Sequence, residues 1–193
     1  MAGTTFSGIP GVGEVDWGKH ICHFYRSRRE LVQVVLKYIL AGLRNNERCI
    51  FGAGAPFYAE ELKTELLRTV RTTGPLREDQ LTLFDHHEWY VHNALKDPVR
   101  DLLRIETQAL NDGFRGLRCG GIISWITRKD WKPFFTYEAN VSKAIPGRRI
   151  LALCGYDVSQ CDGEEVFGAI RTHHYAVAKQ GNAWGVFETT PRP

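Results

Sequence analysis

Short apolar stretches alternate along the chain with longer segments whose apolar residues recur at helical spacing. HICHFY (20–25) has the length and composition of a buried strand. From about Arg28 to Arg44, Leu31, Val32, Val35, Leu36, Ile39, Leu40 and Leu43 give a helix one wide apolar face. RCIFGA (48–53) predicts a second strand leading into a helix from about Phe57 to Val70, and LTLFD (81–85) predicts a third strand. Asp97 can accept from free backbone N–H groups and Pro98 suits a first helical position, so the next helix runs to about Asn111 and stops at Gly113. A strand in GLRCGGIISW (116–125), a helix from about Trp131 into the Ala139 region, a strand in RILALC (149–154) and a helix starting near Asp162 follow. The tail from Asn182 to Glu188 is a candidate final strand.

This order predicts a three-layer α/β/α fold with a mostly parallel central sheet. RILALC is nearly continuous in apolar residues, as burial on both faces requires. In such sheets ligands usually bind beyond the carboxyl ends of the strands, which directs attention to the loops after Tyr25, Ala53, Asp85, Trp125 and Tyr156. No repeat or linker divides the chain, so residues 18–190 read as a single domain. The glycine-rich residues 1–17 read as a flexible N-terminal arm.

Composition narrows the function. With 193 residues, 43% hydrophobic and 24% charged, the chain is ordinarily globular, and a net charge of +3 is too mild for a nucleic-acid-binding face. The most apolar run, Leu31 to Leu43, is broken by Gln33 and Lys37, so no membrane partner is expected. Five cysteines without a CxxC pair, and no signal-peptide pattern, read as reduced thiols of a cytoplasmic protein.

Catalytic motifs are missing. There is no GxxxxGK[ST]; the nearest glycine-rich element, FGAGAP (51–56), lacks the lysine and hydroxyl and reads as a tight strand-to-helix turn. GxSxG is absent too, and His86, His87, Glu88 and His92 do not form HExxH but read as a polar loop. His173 and His174 read as residues that cap or pack a helix end. The expectation is therefore a non-enzyme with no cofactor and no bound metal.

The run HICHFY, GLRNNERCIF, GLRCGGIISW, FTYEAN, LALCGYD and THH resembles the sensory domain called MEDS, over roughly His20 to His174. The resemblance implies a RecA-like fold related to the clock ATPase KaiC, with HICHFYRSRREL in the place of an eroded phosphate loop. It also implies sensing of small organic compounds, with a regulatory partner such as a histidine kinase or a transcription factor. Self-association is compatible with this reading.

Five residues are candidate ligand contacts. Tyr25 and its neighbour His23 end the first strand, Trp125 ends the strand in GGIISW, and Tyr156 and Asp157 end the strand in LCGYD. Each has a structural alternative: core packing for His23, Tyr25 and Trp125, and turn capping for Asp157. Arg118 and Glu138 are a candidate structural ion pair, and Cys154 is expected to be buried. Two rival functions remain. One is a remnant nucleotide-binding protein or weak ATPase, with Arg26, Arg28 and Arg29 as phosphate cations. The other is a metal or thiol-redox switch built on His20, Cys22, Cys49 and Cys154.

Overall fold

The computed structural model describes residues 3–70, 76–77, 79–85, 97–124 and 126–191, without the side chains of Val70 and Arg128. A small antiparallel hairpin, β1 (Thr4–Phe6) and β2 (Glu14–Asp16), precedes the main sheet. That sheet comprises β3 (Lys19–Tyr25), β4 (Arg48–Ala53), β5 (Leu81–Asp85), β6 (Leu117–Ile123), β7 (Ile150–Asp157), β8 (Tyr175–Gln180) and β9 (Ala183–Glu188). Its order is β5-β4-β6-β7-β3-β8-β9, parallel throughout except for the last pair. The fold is the α/β class expected from the alternation.

Among the described residues, five α-helices cover both faces: α1 (Arg28–Arg44), α2 (Ala59–Val70), α3 (Pro98–Asn111), α4 (Trp131–Ala144) and α5 (Gly163–Thr172). Their starts follow from local chemistry. Asp97 Oδ1 accepts from Arg100 N at the head of α3, and Asp162 and Glu165 form a reciprocal capping box at the head of α5. Because side chains alternate across a strand, β3 sends Ile21, His23 and Tyr25 toward α1 and His20, Cys22 and Phe24 toward α4 and α5. On the first face Ile21, Phe51, Ile122, Leu151 and Leu153 pack with Leu31, Val35, Leu62 and Leu66. On the second, Cys22, Phe24, Cys154 and Tyr156 pack with Phe134 and Ala169, while Leu117 and Ile150 pack with Val141 and Ile145.

The expectation of a flexible arm is corrected. Thr5, Ser7 and Ile9 are buried, because the hairpin closes the end of the α1 layer around Arg118. That guanidinium donates to Ser7 O at 2.6 Å, Phe6 O at 2.9 Å and Tyr38 O at 3.0 Å, and its Nε donates to Glu47 Oε2 at 2.5 Å. Thr5 Oγ1 and Asn45 Nδ2 donate to the other oxygen of Glu47, each at 2.5 Å. Gly42 makes room for this network: a Cβ there would lie 2.5 Å from Arg118 Nε. Arg118 therefore pairs with Glu47 and not with Glu138, which lies on the opposite face of the sheet. β8 was not anticipated; paired with β9 across Gly181 (φ +58°), it extends the sheet beyond β3. No described helix is long and apolar enough to cross a membrane.

Candidate functional site: an apolar chamber with a polar inner wall

β4 and β6 carry glycine where large side chains would otherwise fill the space beneath α3 and α4. Gly52 and Gly121 are register partners, and Gly121 is in turn the partner of Cys154 on β7. All three point to the α3–α4 side, where a cavity of about 150 Å³ opens between sheet and helices. Leu102 and Ile105 of α3, Phe134 and Val141 of α4, and Ile50, Leu117 and Ile123 of the sheet supply its apolar lining. A Cβ on Gly121 would meet only Gly52 O, at 3.4 Å, so this position is open toward the chamber. Gly120 points the other way and is closed: a Cβ there would stand 2.1 Å from Leu153 O.

The inner wall of the chamber is polar. His20, Glu138 and Cys154 line it, and His173 from the end of α5 joins them; the potential ligand atoms of these four buried residues all lie within 4.8 Å of one another. Glu138 Oε2 is 3.0 Å from His173 Nε2 and 3.5 Å from His20 Nε2, and it accepts from Tyr156 Oη at 3.1 Å. His20 Nε2 also lies 3.3 Å from Cys154 Sγ. The outer ring nitrogens are anchored. Ser142 Oγ gives its proton to Thr172 O, so it accepts from His20 Nδ1 at 2.9 Å. His173 Nδ1 donates to Ala169 O at 2.7 Å. Burial, followed by the neighbouring His173 and His174, pushes His20 well below the usual imidazole range. Burial and then Glu138 push the Cys154 thiol up.

Of the five candidate contacts, His23, Tyr25 and Asp157 lie away from the chamber. His23 and Tyr25 are buried on the α1 side, and Tyr25 packs over Gly155. Asp157 Oδ1 accepts from Ser159 N at 2.9 Å and from Ser159 Oγ at 2.7 Å, so it caps the turn that follows β7. Tyr156 reaches the polar wall through Glu138, without lining the chamber itself. Trp125 lies outside the described residues, as do His86, His87, Glu88 and His92. The proposed metal or thiol set is divided as well: His20, Cys22 and Cys154 share one face, whereas Cys49 lies on the other among the Arg118 network. Glu138 and His173 were read as an ion-pair partner and a helix-end residue. The available signal was the recurrence of polar residues within otherwise apolar buried segments: HICH, FTYEAN, LALC and THH each contribute one member of the cluster.

His23 has both ring nitrogens buried without a hydrogen-bond partner among the described residues, and burial lowers its pKa to about 3. In the unfolded chain it takes a proton near pH 6.5, so between these values the unfolded state binds more protons and stability falls as pH falls. The slope from one such group is about 1.4 kcal/mol per pH unit. His23→Leu is expected to flatten the loss of stability between pH 6 and 4 by up to roughly that slope. Urea unfolding across the range checks this; an unchanged slope would refute it.

The presumed phosphate region is short. Only Arg26 and Ser27 separate β3 from α1. Ser27 Oγ accepts from Glu30 N at 3.3 Å, and the Glu30 carboxylate accepts from Arg26 N at 2.9 Å, so an acidic side chain stands at this helix start. At the start of α2, Asp85 Oδ1 accepts from Ala59 N at 2.9 Å. The FGAGAP turn is closed by reciprocal backbone bonds between Gly54 and Phe57.

Sheet order and helix layers define a three-layer α/β fold with a mostly parallel central sheet. Over 98% of its length the chain superposes on 89% of a KaiC-like protein from the hyperthermophilic archaeon Pyrococcus horikoshii, with a TM-score of 0.55 and 14% sequence identity. Residues 19–174 match the MEDS family, the methanogen/methylotroph, DcmR sensory domain, and the chain belongs to that family. No curated protein matches it. This is a sensory domain.

Proposed function

We propose that the chain is a noncatalytic sensor that admits a small apolar organic molecule to the chamber beneath α3 and α4 and reports it to a regulatory protein. The observation that carries this reading is the chamber itself: about 150 Å³, apolar on most sides, floored by Gly52 and Gly121 and polar at its inner wall. Apolar cavities of this size take benzene-sized molecules. A few polar groups at one end would orient a ligand by its heteroatom or halogen. The output surface follows from packing. α4 lines the chamber and packs against α5, where Phe167 stands 74% exposed. A ligand that favours one placement of α4 would shift the population of the α5 surface offered to a histidine kinase or a transcription factor.

A thermal-shift screen of the pure protein against benzene, dichloromethane, short alcohols and ketones, and Mg-ATP tests the reading. At about 100 times its Kd a ligand that binds only the native state adds about 2.7 kcal/mol. For a chain of this size that raises Tm by roughly 5–10 °C. A rise with a small organic is expected. A rise with Mg-ATP alone, or none with any organic, would overturn it.

A further inference from the structure

We infer that His20, Glu138, Cys154 and His173 form a binding site for a divalent transition metal, best suited to zinc. This inference stands apart from the sensory reading, since it requires no organic ligand.

Each histidine has its Nδ1–H committed outward, His20 to Ser142 Oγ and His173 to Ala169 O. With Nδ1 committed outward, each ring turns its Nε2 atom inward, and both Nε2 atoms face the same carboxylate oxygen, at 3.5 and 3.0 Å. His173 Nε2 is wholly buried and has no hydrogen-bond partner among the described residues, although Glu138 Oε2 lies 3.0 Å away. A buried carboxylate is paired or coordinates a metal, and a cation held among these nitrogen, sulfur and oxygen atoms would neutralise it. Anchoring of the outer ring nitrogen by a hydroxyl or carbonyl is the arrangement that holds metal-bound imidazoles in one tautomer and orientation. Tyr156 Oη, donating to Glu138, likewise fixes the carboxylate.

The spacing agrees. Tetrahedral zinc with ligands at about 2.0–2.3 Å separates neighbouring donor atoms by roughly 3.3–3.7 Å. His20 Nε2 already stands 3.3 Å from Cys154 Sγ and 3.5 Å from Glu138 Oε2. With all four donors within 4.8 Å of one another, small rotations close the shell. Two imidazoles, a thiolate and a carboxylate suit zinc better than magnesium or calcium, which take oxygen ligands. As the metal binds, the Cys154 thiol gives its proton to water and the sulfur coordinates as thiolate; no electron moves. Because three of the four residues line the chamber, the metal would sit at its inner wall.

The test uses the full chain, purified without a histidine tag, reduced, and loaded with zinc or cobalt. One zinc per chain should survive gel filtration, and chelation should lower Tm. The cobalt-loaded protein should show tetrahedral ligand-field bands and a near-ultraviolet sulfur-to-cobalt band. Cys154→Ser should lose the sulfur band, Glu138→Gln should lose stoichiometric zinc, and Cys49→Ser, whose thiol lies across the sheet, should keep both. Substoichiometric zinc in the unaltered protein, or a sulfur band that persists in Cys154→Ser, would overturn the assignment. The unaltered protein decides the matter even if a variant fails to fold. No organic compound enters the experiment, so its failure leaves the thermal-shift result untouched.

Discussion

Arg118→Ala is expected to lower stability by about 3–5 kcal/mol, the cost of leaving a buried charge without its partner. Arg118 and Glu47 are both fully buried, 2.5 Å apart, so the substitution takes the cation away from a buried carboxylate. Three carbonyl oxygens, of Phe6, Ser7 and Tyr38, lose a donor in the same step. At roughly 2–4 °C per kcal/mol the fall in Tm should be on the order of 10 °C. The N-terminal hairpin should loosen first, because Arg118 ties it to α1; hydrogen exchange of the amides in β1 and β2 would rise before that of the central strands. Removing both charges, as Arg118→Met with Glu47→Leu, should recover much of the loss, since a buried ion pair replaced by packed apolar groups is often neutral. If Arg118→Ala melts within a degree or two of the unaltered protein, the network is not what fastens the hairpin.

Gly121→Val should abolish the response to small organic ligands while leaving the protein folded. The new side chain enters the chamber, meeting Gly52 O at an ordinary contact distance, and a β-branched residue suits a strand. Filling a cavity with methyl groups recovers dispersion contacts, so Tm without ligand should hold or rise. The adjacent Gly120→Ala makes the contrast. Its Cβ would lie 2.1 Å from a backbone oxygen of β7, so a single methyl group forces the strands apart and the protein should be destabilised. The pair is checked by melting each variant with and without benzene. An organic-induced rise in Tm that persists in folded Gly121→Val would place the ligand elsewhere.

Much of the architecture was legible because burial writes itself into periodicity. Leu31, Val35, Ile39 and their neighbours required a helix with one apolar face, and α1 begins and ends where that face does. The near-continuous apolar run at 150–154 required a strand covered on both sides, and β7 lies in the middle of the sheet. The hairpin escaped because its strands are only three residues long, and the polar residues Thr5 and Ser7 are buried against Arg118, about a hundred positions away in the chain. β8 escaped because it follows α5 almost at once, with only His173 and His174 between them.

The site was legible only in pieces. Glycines in mid-strand hollow out the chamber, and a glycine in a sequence does not say which face it leaves empty. His20, Glu138, Cys154 and His173 each stood out as polar residues in apolar surroundings. Local pattern could assign them only local roles, such as a cap, an ion pair or a buried thiol. Local pattern specified the succession of the longer strands and helices and the apolar face of each helix, because these depend on neighbours a few residues apart. The order of the strands, the pairing of Arg118 with Glu47 and the meeting of the four polar residues were decided by tertiary structure alone. They depend on which strands lie side by side and which helix covers them, and those contacts join residues as far apart as His20 and His173.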